Sequence, residues 1–167
     1  FDFNENSLIG LNLNIRNSLF FNKDLQKNSV TLTYGNSKLK QQYFIGNQEN
    51  NINLHQLDYA HKFADFWLID FMAKTSKNTL ETENFVNRNY EIETNEIQPK
   101  ISFLYNKNKR FSAFYHFKNK QNQLQNFEKL NQQKFGVEYF YISKKKNQIS
   151  ANVNAVSYTH LTLPTTP

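Results

Sequence analysis

The 167-residue chain has no cysteine and only 4 glycines and 3 prolines. Without cysteine it has no disulfides, no thiolate chemistry and no cysteine-based zinc site. So few glycines argue against a phosphate-cradling loop, and no GxSxG, P-loop or dinucleotide motif occurs. No stretch approaches the ~20 apolar residues of a membrane helix. We therefore expect no enzyme activity, no catalytic residue, no metal and no cofactor.

Aromatic residues are abundant in a chain that is otherwise polar. It contains 16 Phe and 9 Tyr, yet only 38% of its residues are hydrophobic and its mean hydropathy is −0.74. Asn, Gln, Lys and Ser make up much of the remainder. This composition favours an all-β protein with one polar side and one aromatic side.

Alternation of apolar and polar residues runs through most of the chain and predicts β-strands. About eight strands are expected, joined as an antiparallel up-and-down meander. The residues predicted to share one face are Ile9, Leu11, Leu13, Ile15, Leu19, Phe21, Val30, Leu32, Tyr34, Leu57, Tyr59, His61, Phe63, Trp67, Ile69, Phe71, Ala73, Phe103, Tyr105, Phe111, Ala113, Tyr115, Phe135, Val137, Tyr139, Tyr141, Ile149, Ala151 and Val153. A helical turn through Leu124, Phe127 and Leu130 is an alternative for one polar segment.

The predicted connections alternate between two kinds. Turns at 22–28, 64–65, 106–110 and 143–147 are short, whereas those at 46–52, 78–89 and 119–132 are longer or more polar. In a meander, successive turns lie at opposite ends of the sheet. Short turns at one end and long loops at the other are typical of outer-membrane barrels.

Aromatic residues cluster beside the short turns, as in the girdle that barrels place at the membrane interface. They are Phe20, Phe21, Phe63, Phe66, Trp67, Tyr105, Phe111, Tyr139 and Tyr141. Packing in a water-soluble core is the alternative. We expect the aromatic face to contact lipid, with Leu68, Leu104, Phe114 and Phe140 as exceptions on the other face.

Candidate ligand-binding residues are sparse. His55 and His61 share a face but lie roughly 20 Å apart on a strand, and His116 has no ligand pattern around it. Glu91, Glu93 and Glu96 are interpreted as a solvated acidic rim. Arg16 and Lys134, beside Asn12, Asn14 and Glu138, are interpreted as hydrated residues of a barrel lumen.

The net charge of +6 raises the possibility of nucleic-acid binding. The cations, however, concentrate at turn tips: Lys23, Lys27, Lys107, Lys109, Arg110, Lys144, Lys145 and Lys146. We interpret them as solvated and expect no nucleic-acid partner.

Residues 156–167 differ from the rest in composition, because Asn, Lys and Phe give way to Thr, Leu and Pro. Val156 to Thr165 correspond in order to the codons GTC TCT TAT ACA CAT CTG ACG CTG CCG ACG, which resemble the transposase end of a sequencing adapter. We interpret 156–167 as an adapter-derived tail on a metagenomic fragment and 1–155 as the protein's own sequence. Val156 and Tyr158 would nevertheless continue the alternation of the last strand.

Three phrases carry a family resemblance: IRNSLFFNK, HKFADFWLIDFMAKTSKN and NRNYEIETNEIQPKISFLYNKNKRFSAFY. Over residues 7–155 the chain resembles the C-terminal region of large outer-membrane β-barrel proteins of Bacteroidota. The resemblance implies an outer-membrane location, and a role in transport, secretion or surface assembly.

Together these observations predict part of a transmembrane β-barrel, which on its own would form an open sheet or half-barrel. Its expected partners are membrane lipid and the remaining strands of the same chain. The alternative is a soluble cell-surface sheet that binds glycans or protein partners.

Overall fold

In a computed structural model the chain forms one antiparallel sheet. The structure describes residues 9–24, 28–43, 46–106, 108–124, 128–143 and 147–162. Eight strands follow one another in the order of the sequence, each paired with its chain neighbours. The strands are β1 (Ile9–Asp24), β2 (Asn28–Tyr43), β3 (Gly46–Ala64), β4 (Trp67–Thr82), β5 (Tyr90–Asn106), β6 (Lys109–Asn122), β7 (Glu128–Ile142) and β8 (Gln148–Thr162).

The predicted all-β meander of eight strands is therefore confirmed. The sheet is not closed, since β1 pairs only with β2 and β8 pairs only with β7 in the described part of the chain. One short 3-10 turn, Val86–Arg88, lies between β4 and β5.

The predicted sorting of short turns from long loops is largely wrong. The segment 46–52 lies inside β3, and most of 119–132 lies in β6 and β7. Among the described residues, only 83–89 form a loop of the longer kind. These polar segments form strands because their backbone is paired with both neighbouring strands. The sequence did not predict them as strands because their side chains are hydrophilic on both faces, so apolar and polar residues do not alternate.

The alternative of a helical turn through Leu124, Phe127 and Leu130 is wrong at Leu130, which lies in a strand. Leu130 belongs to β7 and pairs with Lys120 of β6, and Leu124 follows the end of β6. Phe127 lies outside the described residues.

Pro99 lies inside β5, opposite Phe71 of β4. Proline removes one donor from the hydrogen-bond ladder. The register with β6 nevertheless continues unchanged, from Ile97 opposite Phe117 to Lys100 opposite Phe114. No bulge is formed between β5 and β6 at this position.

The two faces of the sheet differ in how well their side chains are shielded. Beside the short turns, the face carrying Ile101 and Phe111 is exposed, with 43% and 50% of these residues accessible. The opposite face carries the described residues that are buried, namely Thr33, Ser102, Ser112, Phe114 and Gly136. Side chains crowd together on the concave side of a curved sheet, so we infer that the polar face is concave.

Candidate functional site

Apolar residues, some exposed and some half-buried, form a continuous band on one face, which we call the outer band. It occupies the half of the sheet beside the turns that join β1 to β2, β3 to β4, β5 to β6 and β7 to β8. Cross-strand pairing places its members on one face: Leu19, Phe21, Val30, Leu32, Leu57, Tyr59, Phe63, Trp67, Ile69, Phe71, Ala73, Ile97, Ile101, Phe103, Tyr105, Phe111, Ala113, Tyr115, Phe117, Phe135, Val137, Tyr139, Tyr141, Ile149, Ala151 and Val153.

The height of the band can be compared with that of a bilayer core. On β5 it runs from Ile97 to Tyr105, and above it the same face continues with the polar Asn95, Glu93 and Glu91. A tilted membrane-spanning strand requires about 9–11 residues. The nine residues from Ile97 to Tyr105 meet that requirement. The band is shorter on neighbouring strands, with about seven residues on β3, β4 and β6.

The band also moves diagonally across the sheet. Phe21, Val30, Tyr59, Phe71 and Pro99 occupy one row of cross-strand partners. Phe21 lies three residues before the end of β1, but Pro99 lies seven before the end of β5. The ends of β1 and β5 are therefore offset by four residues along the strand direction. Tilted strands of a barrel require a stagger of this kind.

Aromatic rings at the turn end of the outer band contact one another across strands. Ring centroids lie 6.3 Å apart for Phe63 and Trp67, and 5.0 Å apart for Trp67 and Phe103. Phe111 and Tyr139 continue the series on β6 and β7, 4.7 Å apart. The predicted clustering of aromatics at this end is confirmed, although Phe20 lies on the opposite face from Phe21.

Opposite the outer band, the concave face carries hydrogen-bonded polar groups. Ser102 and Ser112 share a hydrogen bond of 2.9 Å between their Oγ atoms. Lys100 Nζ lies 2.5 Å from Glu138 Oε2, reaching across β6. Polar groups that are shielded from water need such partners, and here neighbouring strands of the same face supply them.

Glu96 is the centre of the densest charge network on this face. Its carboxylate lies 3.6 Å from Lys74 Nζ, 3.2 Å from His116 Nε2 and 3.4 Å from Lys118 Nζ. Proximity in sequence places Glu96 in an acidic rim with Glu91 and Glu93, but its side chain lies on the opposite face of the sheet from theirs. Its cross-strand partners are Lys74 on β4 and Lys118 on β6. This pairing cannot be predicted from the sequence until the register of the strands is known.

Above the outer band, the same face becomes charged on β2 to β5, whereas β1 keeps the exposed Leu11, Leu13 and Ile15 in these rows. Glu49 pairs with Lys38 and Lys40, the latter at 2.9 Å, and hydrogen bonds from these lysines lower the pKa of Glu49 below its usual range. Lys77 lies 2.6 Å from Glu91, whose hydrogen bond raises the pKa of the lysine. This region suits contact with water.

The loop at 83–89 folds against the start of β3. Glu83 Oε2 accepts a hydrogen bond of 3.0 Å from the backbone N–H of Asn47, and Asn47 O accepts one of 3.1 Å from the N–H of Glu83. Gly46 has a φ of 123°, and the Asn84 amide lies where a Cβ would stand. Glycine therefore permits both the backbone conformation and the close approach of the loop.

The structure does not bring the histidines together. His55 contacts the ring of Tyr34 with centroids 5.1 Å apart, and His61 hydrogen-bonds Asn28. His116 lies on the other face with Glu96. Among the described residues, no group of three His, Asp or Glu side chains could hold a metal ion.

The other residues singled out in the sequence have definite positions. Arg16, Lys134 and Glu138 lie on the concave face, and so do the exceptions Leu68, Leu104, Phe114 and Phe140. Phe114 is buried against Gly136 and contacts Lys134, whose Nζ lies 5.3 Å from the ring centroid. Of the predicted turn-tip cations, Lys109 and Arg110 begin β6, while Lys27, Lys107 and Lys144–Lys146 lie outside the described residues.

No helix among the described residues is long and apolar enough to span a membrane.

Comparison of the chain with protein-family models, with curated proteins and with solved structures gave no match.

Proposed function

We propose that this chain is part of the wall of a bacterial outer-membrane β-barrel, with lipid against the outer band and water against the concave face. One observation carries the proposal: the apolar face of the sheet is more exposed than its polar face. In a water-soluble sheet the opposite arrangement is favoured, since burial of apolar surface drives folding. An exposed apolar face is stable when hydrocarbon covers it.

Three further features support this assignment. On β5 the outer band has the height of a membrane core, the band follows the stagger of the strands, and its aromatic residues gather at one end, as at a membrane interface. The charged network around Glu96 would then line an aqueous interior. Transport, secretion or surface assembly are the roles that such a wall serves, and none of them requires catalysis by the wall.

The unpaired edges of β1 and β8 suggest that other strands complete the barrel. Open edges with a long row of unpaired backbone groups associate readily and are usually covered. Eight strands enclose little more than their own side chains, whereas barrels with an aqueous channel need about sixteen. We therefore propose further strands of the same protein as the partners of these edges.

Membrane insertion of the full-length protein tests the proposal. It would be expressed with a signal sequence, and the outer-membrane fraction would be run on a gel with and without boiling. A band in that fraction whose mobility shifts on boiling indicates a closed barrel. A product that stays in the aqueous fraction and does not shift would contradict the proposal.

That second outcome would favour a cell-surface sheet that binds glycans or proteins. The outer band would then have to be covered by a second layer of protein, as in a sandwich. The described residues form a single layer, so that layer would have to come from elsewhere.

A further inference from the structure

The concave face carries more cations than carboxylates. Between the row of Arg16 and the row of Arg110, cross-strand pairing places four carboxylates on this face: Asp58, Asp70, Glu96 and Glu138. The same rows hold twice as many Lys and Arg side chains: Arg16, Lys62, Lys74, Lys100, Arg110, Lys118, Lys120 and Lys134. In the described part of the sheet, this face therefore has a positive net charge.

Four of the basic side chains on this face lie close together around Glu96, and we call them the cationic cluster: Lys74, His116, Lys118 and Lys134. Lys74 Nζ and Lys118 Nζ lie 3.6 and 3.4 Å from the same oxygen of Glu96, Oε1. His116 Nε2 lies 3.2 Å from the other oxygen, Oε2. One carboxylate is thus shared by two ammonium groups and an imidazole.

Lys134 adds a further positive charge beside this group. It lies directly opposite His116 on β7, and it forms no ion pair with any residue that the structure describes. Its ammonium group instead lies 5.3 Å from the ring centroid of Phe114. Its neighbours on the same face of β7, Gln132 and Gly136, are uncharged. The cluster therefore has three lysines for a single carboxylate.

The cationic cluster is partly shielded, yet its lysines remain accessible. The side chains of Glu96 and His116 are only 13% and 17% exposed, so charges beside them are screened less than in bulk water. The side chains of Lys74 and Lys118 are each 32% exposed, so a solute can reach their ammonium groups. Repulsion among these lysines is relieved when an anion binds between them.

The spacing of the lysines suits one small anion. Lys118 lies opposite Gln132, two residues from Lys134, so the two lysines are diagonal neighbours on β6 and β7. Diagonal neighbours on a sheet are about 7–8 Å apart, which long side chains can bridge. Since the three lysines exceed Glu96 by two charges, an anion with two or more negative charges matches the cluster best.

We propose that the cationic cluster is a binding site for small, multiply charged oxyanions. Oxygen atoms of the solute contact the ammonium groups of Lys118 and Lys134, while Lys74 is shared between the solute and Glu96. Hydrogen bonds between ionised groups are stronger than those between neutral ones, and an ammonium group offers three donors. The site depends on the cluster alone. Only the route of the solute, through the interior of a barrel, rests on the proposed function.

Acetylation of lysines in the presence of inorganic pyrophosphate tests the site. The full-length protein would be labelled briefly with an acetyl N-hydroxysuccinimide ester, and the rate at each lysine measured by mass spectrometry. At ten times the Kd, the rates at Lys118 and Lys134 should fall about tenfold, because only the free protein reacts. Sodium chloride of equal ionic strength should not protect them. Lys38 and Lys40, on the outer face, should react equally in both salts.

Two variants should change the Kd for pyrophosphate in opposite directions. Glu96→Gln should lower it about tenfold, because it removes a carboxylate that repels the anion and competes for the lysines. Lys134→Gln, which breaks no ion pair among the described residues, should raise it by a similar factor. Glu49→Gln is the matched control, since Glu49 also contacts two lysines but lies on the outer face. It should leave the Kd unchanged.

The increase in affinity separates a binding site from a purely structural ion pair. If Glu96→Gln leaves the Kd unchanged or raises it, or if pyrophosphate protects Lys38 and Lys40 as well as Lys118, the proposal is wrong. The labelling can be performed in detergent micelles or in aqueous buffer, according to the fraction that contains the protein. Its outcome is therefore independent of the membrane fractionation that tests the proposed function.

Discussion

Ser102 and Ser112 face each other across β5 and β6, joined by a hydrogen bond of 2.9 Å and only 1% and 4% exposed. Their immediate chain neighbours Ile101 and Phe111 point the other way and are exposed. The best-shielded pair in the described part of the sheet is thus polar, and its apolar neighbours are the accessible ones. Pairing of the two hydroxyls is what makes their burial tolerable.

Removal of one of these hydroxyls should lower the free energy of unfolding more than removal of both. Ser102→Ala leaves the Ser112 hydroxyl without its partner, and we expect a loss of about 1–3 kcal/mol in the free energy of unfolding. The double variant with Ser112→Ala should recover much of that loss. Urea titrations of the four proteins give the coupling energy, and strictly additive effects would show that the hydrogen bond is unimportant.

Gly136 is required by the ring of Phe114. A Cβ at Gly136 would lie 2.5 Å from Phe114 Cζ and still closer to the Asn154 side chain. Gly136→Ala should therefore destabilise the sheet by about 1–3 kcal/mol, as overpacking does. Gly35→Ala is the matched control, because its Cβ would meet Leu54 at an ordinary 3.5 Å.

For Gly35→Ala we expect no loss, and a small gain from reduced freedom of the unfolded chain. The comparison is made by thermal or urea unfolding of both variants under the same conditions. Equal stabilities for Gly136→Ala and Gly35→Ala would mean that Phe114 moves aside without cost.

Arginine substitutions should report depth in the membrane. Ile101 lies in the middle of the outer band and Tyr105 at its turn end. If lipid covers the band, Ile101→Arg should cost about 2–4 kcal/mol, and Tyr105→Arg about 1 kcal/mol or less. Gln98→Arg, on the concave face, should cost little.

The three arginine variants would be compared by urea titration of the full-length protein folded into lipid vesicles. A gradient from Ile101 to Tyr105 supports contact with lipid. Equal, small effects at both positions would show that water covers the outer face.

Glu49 should contribute a pH-dependent increment to stability. Its pKa is lowered in the folded protein by Lys38 and Lys40, so the contribution is present above the ordinary value of 4.5 and is lost as the pH falls below it. Glu49→Gln should lower stability at neutral pH slightly, since these side chains are exposed. It should also reduce the slope of stability against pH between roughly pH 5 and pH 3.

Glu81→Gln is the control for this effect. Glu81 lies directly opposite Glu49 on β4 and forms no ion pair among the described residues. Its neutralisation removes a like-charged neighbour and should not lower stability at neutral pH. A loss of equal size in both variants would contradict the assigned role of the lysines.

Sequence patterns predicted the half of the sheet that has one apolar face. There, the spacing of Tyr59, Ile69 and Ile101 is regular, and the strands occur where the alternation places them. Between Asn47 and Asn51, β3 is hydrophilic on both faces. Apolar and polar residues therefore do not alternate there, and the sequence predicts a loop instead of a strand. The pairing of this segment is fixed by its neighbours on β2 and β4.

The charge network around Glu96 depends on the strand register, and the sequence did not predict it. Lys74 and Lys118 are 44 residues apart in sequence, and only the cross-strand pairing with Glu96 makes them neighbours. Similarly, Ile52 and Leu80 lay in segments assigned to loops. Reversal of polarity within one strand could have been seen in β3, where Ile52 and Leu54 are out of phase with Leu57 and Tyr59.

If lipid covers the outer band, the change from an apolar to a charged outer face along β2 to β5 would give the sheet one preferred depth in the bilayer. A displacement by two residues along the strands, about 7 Å, would carry Lys77 and Glu93 toward the hydrocarbon and withdraw aromatic rings from the opposite interface. Because several strands would suffer this together, the cost accumulates across the sheet. In that case β2 to β5 would themselves set the vertical position of the sheet.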